Sequence, residues 1–208
     1  KVIVSSGQDV GEWVKAENVP GMQEEAKGYI WVADMPENVD TFRTLFDGET
    51  RLTRAKSDEF TMPVNKKVKR ADSQNTFYNK DRIHLRRVPF SNNEIKDWGN
   101  LSDVEVVFNP VPWNLNLIQL ESVDEKNKIG YLAFEANAMP FTNKKYSVAW
   151  IENVIDYLDE PGEWCVNTKT RKIYYWPKNG TPSNNIQAPK LMELFKVEGR
   201  IQYDLPND

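Results

Sequence analysis

The feature that most constrains this fold is the near absence of helical periodicity. Apolar residues occur in short runs or alternate with polar residues, and Gly, Pro, Asn and Asp bound the runs. With 208 residues, of which 39% are hydrophobic, the chain can bury a sizeable core. We therefore expect an all-β fold: an antiparallel two-sheet β-sandwich of roughly nine or ten strands, with one or two short helical turns and long loops.

Two hairpins are the clearest local predictions. Asp47-Gly48 separates the runs 41–46 and 51–55, and Asp-Gly suits a tight turn because such a turn needs a positive φ. Residues 167–170 separate the runs 163–166 and 172–176. Trp164 is expected to pack against Tyr174 and Trp176 across this second hairpin.

Helical structure is predicted at two places only. The spacing of apolar residues in 151–158 is typical of one short helix, and residues 91–98 could form a single helical turn. We interpret the polar stretch 56–97 as a long loop with little regular structure.

The residue inventory excludes several classes of function. A net charge of −4 argues against nucleic acid as a partner, and the basic run 66–70 is interpreted as a solvated loop. No apolar stretch is long enough for membrane insertion. With one cysteine (Cys165) and one histidine (His84), neither an intrachain disulfide nor a Cys/His zinc site is expected. The sequence predicts no cofactor and no metal site, although a structural Ca²⁺ bound by Asp and Asn side chains stays open.

Carboxylates close together in sequence are the one feature that could suggest glycosidase chemistry, which needs two carboxyl groups flanking a bond. The candidates are Glu152, Asp156, Asp159, Glu160 and Glu163. With 31 acidic residues in the chain, some such group always arises. We interpret these five as capping and solvating a turn, and expect no catalytic residue in this chain.

Three blocks of sequence resemble one family. They are 98–108 followed by Trp113, then 150–164, and then 172–177; the middle block reads WIENVIDYLDEPGEW. Together they resemble the β-sandwich domain inserted into right-handed parallel β-helix glycoside hydrolases, of which glycoside hydrolase family 141 is the nearest example. The stretch 45–55 is similar to a further family block, although its turn is one residue shorter and Lys56 replaces an Arg.

The resemblance implies a single insertion domain over residues 1–208, with 190–208 as the exit segment toward a β-helix. In that family the catalytic carboxylates lie on the β-helix, so their absence here is implied too. The implied location is secreted, periplasmic or at the cell surface, and the implied partner is the remainder of the chain. Structural signature residues by resemblance are Glu152, Asn153, Asp159, Pro161, Gly162, Trp164 and Trp176. Candidate carbohydrate contacts are Trp98, Trp113, Arg51 and Arg54.

Three functions remain open from the sequence. The first is a non-catalytic accessory domain that packs on the β-helix and shapes its substrate cleft. The second is an independent carbohydrate-binding module whose exposed aromatic rings stack on polysaccharide or oligosaccharide. The third is a protein-interaction domain. Exposed aromatic residues arranged in a line would favour the second, whereas a large exposed apolar patch would favour the first or the third.

Overall fold

Strands dominate the computed structural model, which describes residues 4–63, 83–138, 147–191 and 193–199. The basic run 66–70 and all of residues 139–146 lie outside these ranges. The described strands are β1 (Gly7–Asp9), β2 (Val14–Lys15), β3 (Trp31–Asp34), β4 (Phe46–Asp47), β5 (Thr50–Arg51), β6 (Thr53–Arg54), β7 (Phe60–Thr61), β8 (Arg87–Pro89), β9 (Glu105–Val111), β10 (Asn114–Asp124), β11 (Ile129–Leu132), β12 (Val148–Glu152), β13 (Glu163–Asn167), β14 (Lys172–Tyr175) and β15 (Ile186–Pro189). Short 3₁₀ turns occur at Glu24–Ala26, Ile83–Arg86, Leu101–Asp103 and Ile155–Tyr157.

Backbone hydrogen bonds arrange these strands in three sheets. The four-stranded sheet has the order β1-β15-β4-β5, the six-stranded sheet β7-β12-β9-β10-β11-β8, and the five-stranded sheet β2-β3-β14-β13-β6. Among these described pairs, β6 and β13 run parallel and the others antiparallel. The predicted all-β sandwich class is confirmed.

The four-stranded and five-stranded sheets pack face to face. Their shared core includes Leu45 and Ile186 on the side of the four-stranded sheet. The five-stranded sheet contributes Trp164, Ile173 and Tyr175. All five side chains are almost fully buried. Alternation along β13 and β14 directs these residues inward, because successive side chains of a strand point to opposite faces.

The six-stranded sheet has its own core. Along β10, Asn116, Ile118 and Leu120 are buried, whereas Leu115 and Leu117 are 52% and 38% exposed. The inward residues pack with apolar side chains from β9, β12 and the loops around 85–95. One face of β10 is therefore core, and its other face presents leucines to the surface.

A third cluster lies on the opposite face of the five-stranded sheet. Cys165 is buried there with Ile30, Ala55 and Leu158. Burial raises the pKa of the Cys165 thiol. Cys165 therefore fills this cluster as a small buried side chain.

The segment from Arg54 to Ser57 joins the five-stranded and six-stranded sheets. Ala55 N donates to Trp164 O at 2.8 Å on one side, while Asn153 N donates to Ala55 O at 2.9 Å on the other. Ser57 N then donates to Ile151 O at 2.8 Å. The two sheets are thus held by a short stretch of backbone that bonds to both.

Three local predictions need correction. The strands of the first hairpin are shorter than predicted, since β4 and β5 have two residues each, although Gly48 does take a positive φ of 57°. Residues 91–98 contain no helix. The predicted helix at 152–158 is one 3₁₀ turn, because Ile151 and Val154 fill the core of the six-stranded sheet while Leu158 fills the third cluster. Helix-like spacing arises here from two different cores.

Trp164 also departs from its prediction. Its backbone pairs with Tyr175 across the hairpin, and its ring stacks on Phe42 at 5.4 Å between centroids. Tyr174 and Trp176 pack in the cluster on the opposite face of the sheet. The alternation of side chains across β13 and β14 explains the difference.

Within the described residues, no helix has the length and apolar character that crossing a membrane requires.

Candidate functional site

The predicted carbohydrate contacts occupy three separate places. Trp98 lines a groove beside the six-stranded sheet. Trp113 lies at the turn between β9 and β10 and is 84% exposed. Trp113 precedes Gln119 of the groove wall by six positions, a separation of about 20 Å along an extended strand. Arg51 is exposed in β5, on the four-stranded sheet. The structure does not bring these residues into one site.

Arg54 is engaged in an ion-pair cluster. Its guanidinium contacts the Glu105 carboxylate, and Arg43 Nη2 lies 2.6 Å from the other oxygen of the same group. Glu105 is 1% exposed, so its carboxylate has lost most of its hydration. The positive charges of the two arginines compensate for that loss. Glu152 Oε2 lies 3.7 Å from Arg54 Nη1, and Glu152 Oε1 accepts a hydrogen bond from Trp150 Nε1 at 2.8 Å.

Glu105 and Glu152 are opposite one another on β9 and β12. Carboxyl groups on such a cross-strand pair come as close as the roughly 5 Å that a retaining glycosidase needs. Here, however, Glu105 is enclosed and both of its oxygens face arginines. A carboxylate in this state has no free oxygen for a sugar, and the pair serves to join β6 to the six-stranded sheet.

Asn153 follows β12 directly and takes a positive φ of 69° at 1% exposure. Its side-chain Oδ1 accepts from Val166 N at 2.8 Å, and its Nδ2 donates to the carbonyl oxygens of Val166 and Asp103, each at 2.9 Å. Asparagine tolerates this backbone region better than other non-glycine residues. The side chain therefore links β13 to the segment before β9.

The turn after Leu158 holds the remaining signature residues. Asp159 and Pro161 are exposed, and Gly162 is buried with a φ of 100°. Gly162 N donates to Trp176 O at 2.6 Å, which aligns the start of β13 with the end of β14. Trp176 stacks on Tyr29 with ring centroids 5.1 Å apart.

Glu163 is the most strongly perturbed carboxyl group of this turn. Burial raises its pKa to about 7, against hydrogen bonds from the backbone N–H groups of Asp159 and Glu160 that lower it. Partial desolvation, with the nearby carboxylates of Glu160 and Asp58, also raises the pKa of Asp159, although its side chain reaches the surface. Two of the five sequence candidates are thus unusual acids, but the backbone already occupies an oxygen of Glu163 at 3.3 Å.

The groove beside Trp98 is the site that sequence reasoning did not assemble. It measures about 620 Å³, and three separate segments form it: 97–102, the β10–β11 region, and the turn after β13. Phe134, 68% exposed, and Gln119 line it together with Lys169. β11 ends at Leu132 and the chain bends at 133–134, and the Phe134 ring lies at the surface.

No group of three or more His, Cys, Asp or Glu residues suited to a metal ion occurs in the part of the chain that the structure describes. His84 and Cys165 lie in different clusters of the fold: His84 belongs to the 3₁₀ turn before β8, and Cys165 to β13. The described residues thus form a β-sandwich domain that carries a groove and ion-pair clusters.

A β-sandwich of this kind occurs inside a larger enzyme. A solved structure titled "Glycoside hydrolase" matches the fold with a TM-score of 0.56 and 19% sequence identity, covering 88% of this chain and 31% of that one. The chain belongs to the GH141 insertion domain family, whose family model matches residues 28–178. No curated protein matches the chain. The resemblance inferred from the sequence blocks is confirmed.

Proposed function

We propose that this chain is a non-catalytic accessory domain of a longer, secreted carbohydrate-active protein, in which it packs on a parallel β-helix and shapes the substrate cleft. The observation that carries the proposal is the pairing of the two ends of the described chain. β1 pairs with β15 from Gly7↔Pro189 to Asp9↔Gln187, and Lys190 N donates to Ser6 O at 3.1 Å. A domain inserted into another needs its entry and exit side by side.

Exposed apolar residues beside these ends support a packed partner. Val4 is 55% exposed, and in the exit segment Phe195 and Val197 are 74% and 95% exposed. Leu191 and Leu194 are also exposed. Covering these apolar side chains against another structure would be favourable. The remainder of a longer chain, attached at these same ends, is the partner we infer.

The solved glycoside hydrolase is compatible with this arrangement, because the present chain corresponds to 31% of its length. The buried carboxylates fit a structural role. Glu105 is held by arginines, Asp103 accepts from Thr168 N and Oγ1 at 2.8 and 2.6 Å, and Asp156 pairs with Lys96 at 2.6 Å. We infer that glycoside hydrolysis belongs to residues outside this chain.

A deletion in the longer protein tests the proposal. Residues 7–189 would be replaced by a short Gly-Ser linker, since the hydrogen bond between residues 6 and 190 shows how small the gap is. We expect the remaining protein to fold and to hydrolyse a small aryl glycoside, while kcat/KM for the polymeric substrate falls by about tenfold or more, because contacts remote from the reacting bond are lost.

Two results would contradict the proposal. One is hydrolysis of a glycoside by residues 1–208 alone. The other is a deleted protein that handles polymer and aryl glycoside as the complete protein does. A control that shortens only one exposed side chain of β2, Val14→Ala, separates loss of the domain from minor damage to its surface.

A further inference from the structure

The groove beside Trp98 has the construction of a saccharide-binding site. Its floor and walls come from Trp98, Leu101, Gln119, Glu121, Phe134 and Lys169. Ligand sites combine apolar and aromatic walls with a few polar groups that fix orientation. The groove is open to solvent, so a ligand can enter it without displacing protein segments.

The groove is formed before any ligand arrives. Trp98 packs edge-on against Tyr157 with ring centroids 6.2 Å apart, and Tyr157 Oη donates to Glu94 O at 2.9 Å. Lys169 Nζ donates to Gly99 O at 2.6 Å, which ties one wall to the other. A site held in this way loses little conformational entropy on binding.

Asp103 strengthens the same connection. Its carboxylate accepts from both the N–H and the hydroxyl of Thr168, which begins the turn that carries Lys169. Ala133 N donates to Gln119 O at 2.8 Å and sets the position of Phe134 relative to β10. The three segments that line the groove are therefore joined by hydrogen bonds that do not involve a ligand.

The chemistry of the walls selects the ligand class. Trp98 and Phe134 present aromatic surface, whose electron-rich faces attract the C–H groups of a pyranose ring. Gln119 and Ser102 supply hydrogen-bonding groups for hydroxyls. Phe134 is 68% exposed, and covering its ring is favourable for any partner that fits.

Charge distinguishes neutral from acidic saccharides. Asp97 and Glu121 line the groove, against Lys169 as the one basic residue of the lining. Glu121 is paired with Arg86, and Lys169 already donates to Gly99 O. A uronic acid would bring a further negative charge to two carboxylates, whereas a neutral sugar would not.

We propose that this groove binds a stretch of neutral oligosaccharide and is the point at which the domain contacts the polysaccharide. The ligand class rests on the proposed function, since it takes the longer protein to be carbohydrate-active. The groove itself rests on the geometry of residues 97–102, 119–121, 133–134 and 169.

The test is a two-dimensional ¹H–¹⁵N NMR titration of the 208-residue chain. The probes are the neutral hexasaccharides cellohexaose, xylohexaose and mannohexaose, with trigalacturonic acid as the acidic probe. We expect at least one neutral hexasaccharide to shift the backbone signals of 97–102, 119–121 and 133–134, at concentrations up to about 10 mM.

Phe134→Ala is the variant that tests the groove, because an exposed ring can be removed without opening the core. It should weaken binding by about tenfold, the effect of losing one aromatic contact. Phe195→Ala, which removes an exposed phenylalanine ring that does not line the groove, should leave the affinity unchanged. Thermal unfolding of both variants checks that each is folded.

Three outcomes would overturn the groove assignment: no neutral hexasaccharide shifts these signals, only trigalacturonic acid does so, or Phe134→Ala binds as tightly as the parent chain. Because this titration uses the isolated chain, its failure removes the groove alone. A failure of the accessory role appears instead as an unaffected deletion in the longer protein.

Discussion

The side-chain amide of Asn153 pairs with both backbone groups of Val166, its Oδ1 accepting at 2.8 Å and its Nδ2 donating at 2.9 Å. The side chain thus substitutes for a neighbouring strand at this point of β13. The same Nδ2 reaches the Asp103 carbonyl, and the backbone N of Asn153 reaches Ala55. One residue joins the six-stranded sheet, the five-stranded sheet and the segment that passes between them.

Replacing Asn153 should therefore be costly. Asn153→Ala leaves buried polar groups of Val166 and Asp103 unpaired, and we expect a loss of about 2–4 kcal/mol in the free energy of unfolding. Asn153→Asp keeps an acceptor for Val166 N but removes the Nδ2 donor, so a loss of similar size is expected. Urea denaturation measures both. Asn184→Ala, at an exposed position, should change the value by less than about 0.5 kcal/mol; equal effects at the two sites would contradict this role.

The Glu105 cluster predicts an asymmetry between its two arginines. Arg54 is 11% exposed and Arg43 is 53% exposed. Arg54→Ala should cost about 3–5 kcal/mol because it leaves a buried carboxylate short of its inner partner, whereas Arg43→Ala should cost about 1 kcal/mol or less. Chemical denaturation at low and high salt measures the difference.

A double variant provides the control for this cluster. Arg54→Met with Glu105→Gln removes both charges and keeps most of the volume, so it should be more stable than Arg54→Ala alone. If the double variant were the less stable of the two, desolvation of Glu105 would not be the cause of the loss.

Glu163 predicts a dependence of stability on pH. Its pKa is about 7 in the folded chain, above the ordinary value of 4.5, chiefly because of burial. The folded chain therefore holds more protons than the unfolded chain between these values, and its stability falls as pH rises from about 4.5 to 7. Above that range the contribution is constant.

Glu163→Gln should remove this dependence while keeping a side-chain oxygen for the N–H groups of Asp159 and Glu160. We expect the stability of the variant, relative to the parent chain, to increase as pH rises from about 4.5 to 7. Urea denaturation of both chains across this range measures the difference. A difference that stays constant with pH would show that Glu163 titrates normally.

Gly162 combines two separate constraints. Its φ is 100°, and a Cβ at this position would lie 2.3 Å from Lys178 Cε. Gly162→Ala should cost about 1–3 kcal/mol. Gly28→Ala, at a φ of 79° with open space around it, carries the backbone cost without the contact.

A second substitution divides these two costs. Lys178→Ala removes the side chain that would meet the new Cβ, so Gly162→Ala/Lys178→Ala should recover the steric part and retain the backbone part. Thermal unfolding of the single and double variants gives both values. If Gly162→Ala were no more costly than Gly28→Ala, the contact with Lys178 would be relieved by movement of that flexible side chain.

Local sequence signals predicted what depends on local chemistry. The runs 163–166 and 172–176 predicted a hairpin, and Asp47-Gly48 predicted a tight turn whose glycine has a positive φ. The blocks at 98–108 and 150–177 predicted the insertion-domain family that the comparison then showed. Each of these features depends on a few consecutive residues.

The sites were less predictable because they depend on contacts between distant segments. Arg54 was expected at the surface as a sugar contact, yet its guanidinium meets Glu105, 51 residues later. Phe134 was not among the predicted carbohydrate contacts, because periodicity does not show that β11 ends at Leu132 and that the ring two residues later is exposed. Neither ion pairs nor strand ends can be located from periodicity alone.

By itself, the sequence determined the all-β class, the two main hairpins and the lack of a motif for metal or cofactor. These follow from backbone preferences and residue chemistry, which act over a few residues. Only the tertiary structure decided the division into three sheets, the outward leucines of β10, the pairing of β1 with β15 and the groove at Trp98. Long-range hydrogen bonding and core packing determine which strands become neighbours, and no short stretch of sequence contains that information.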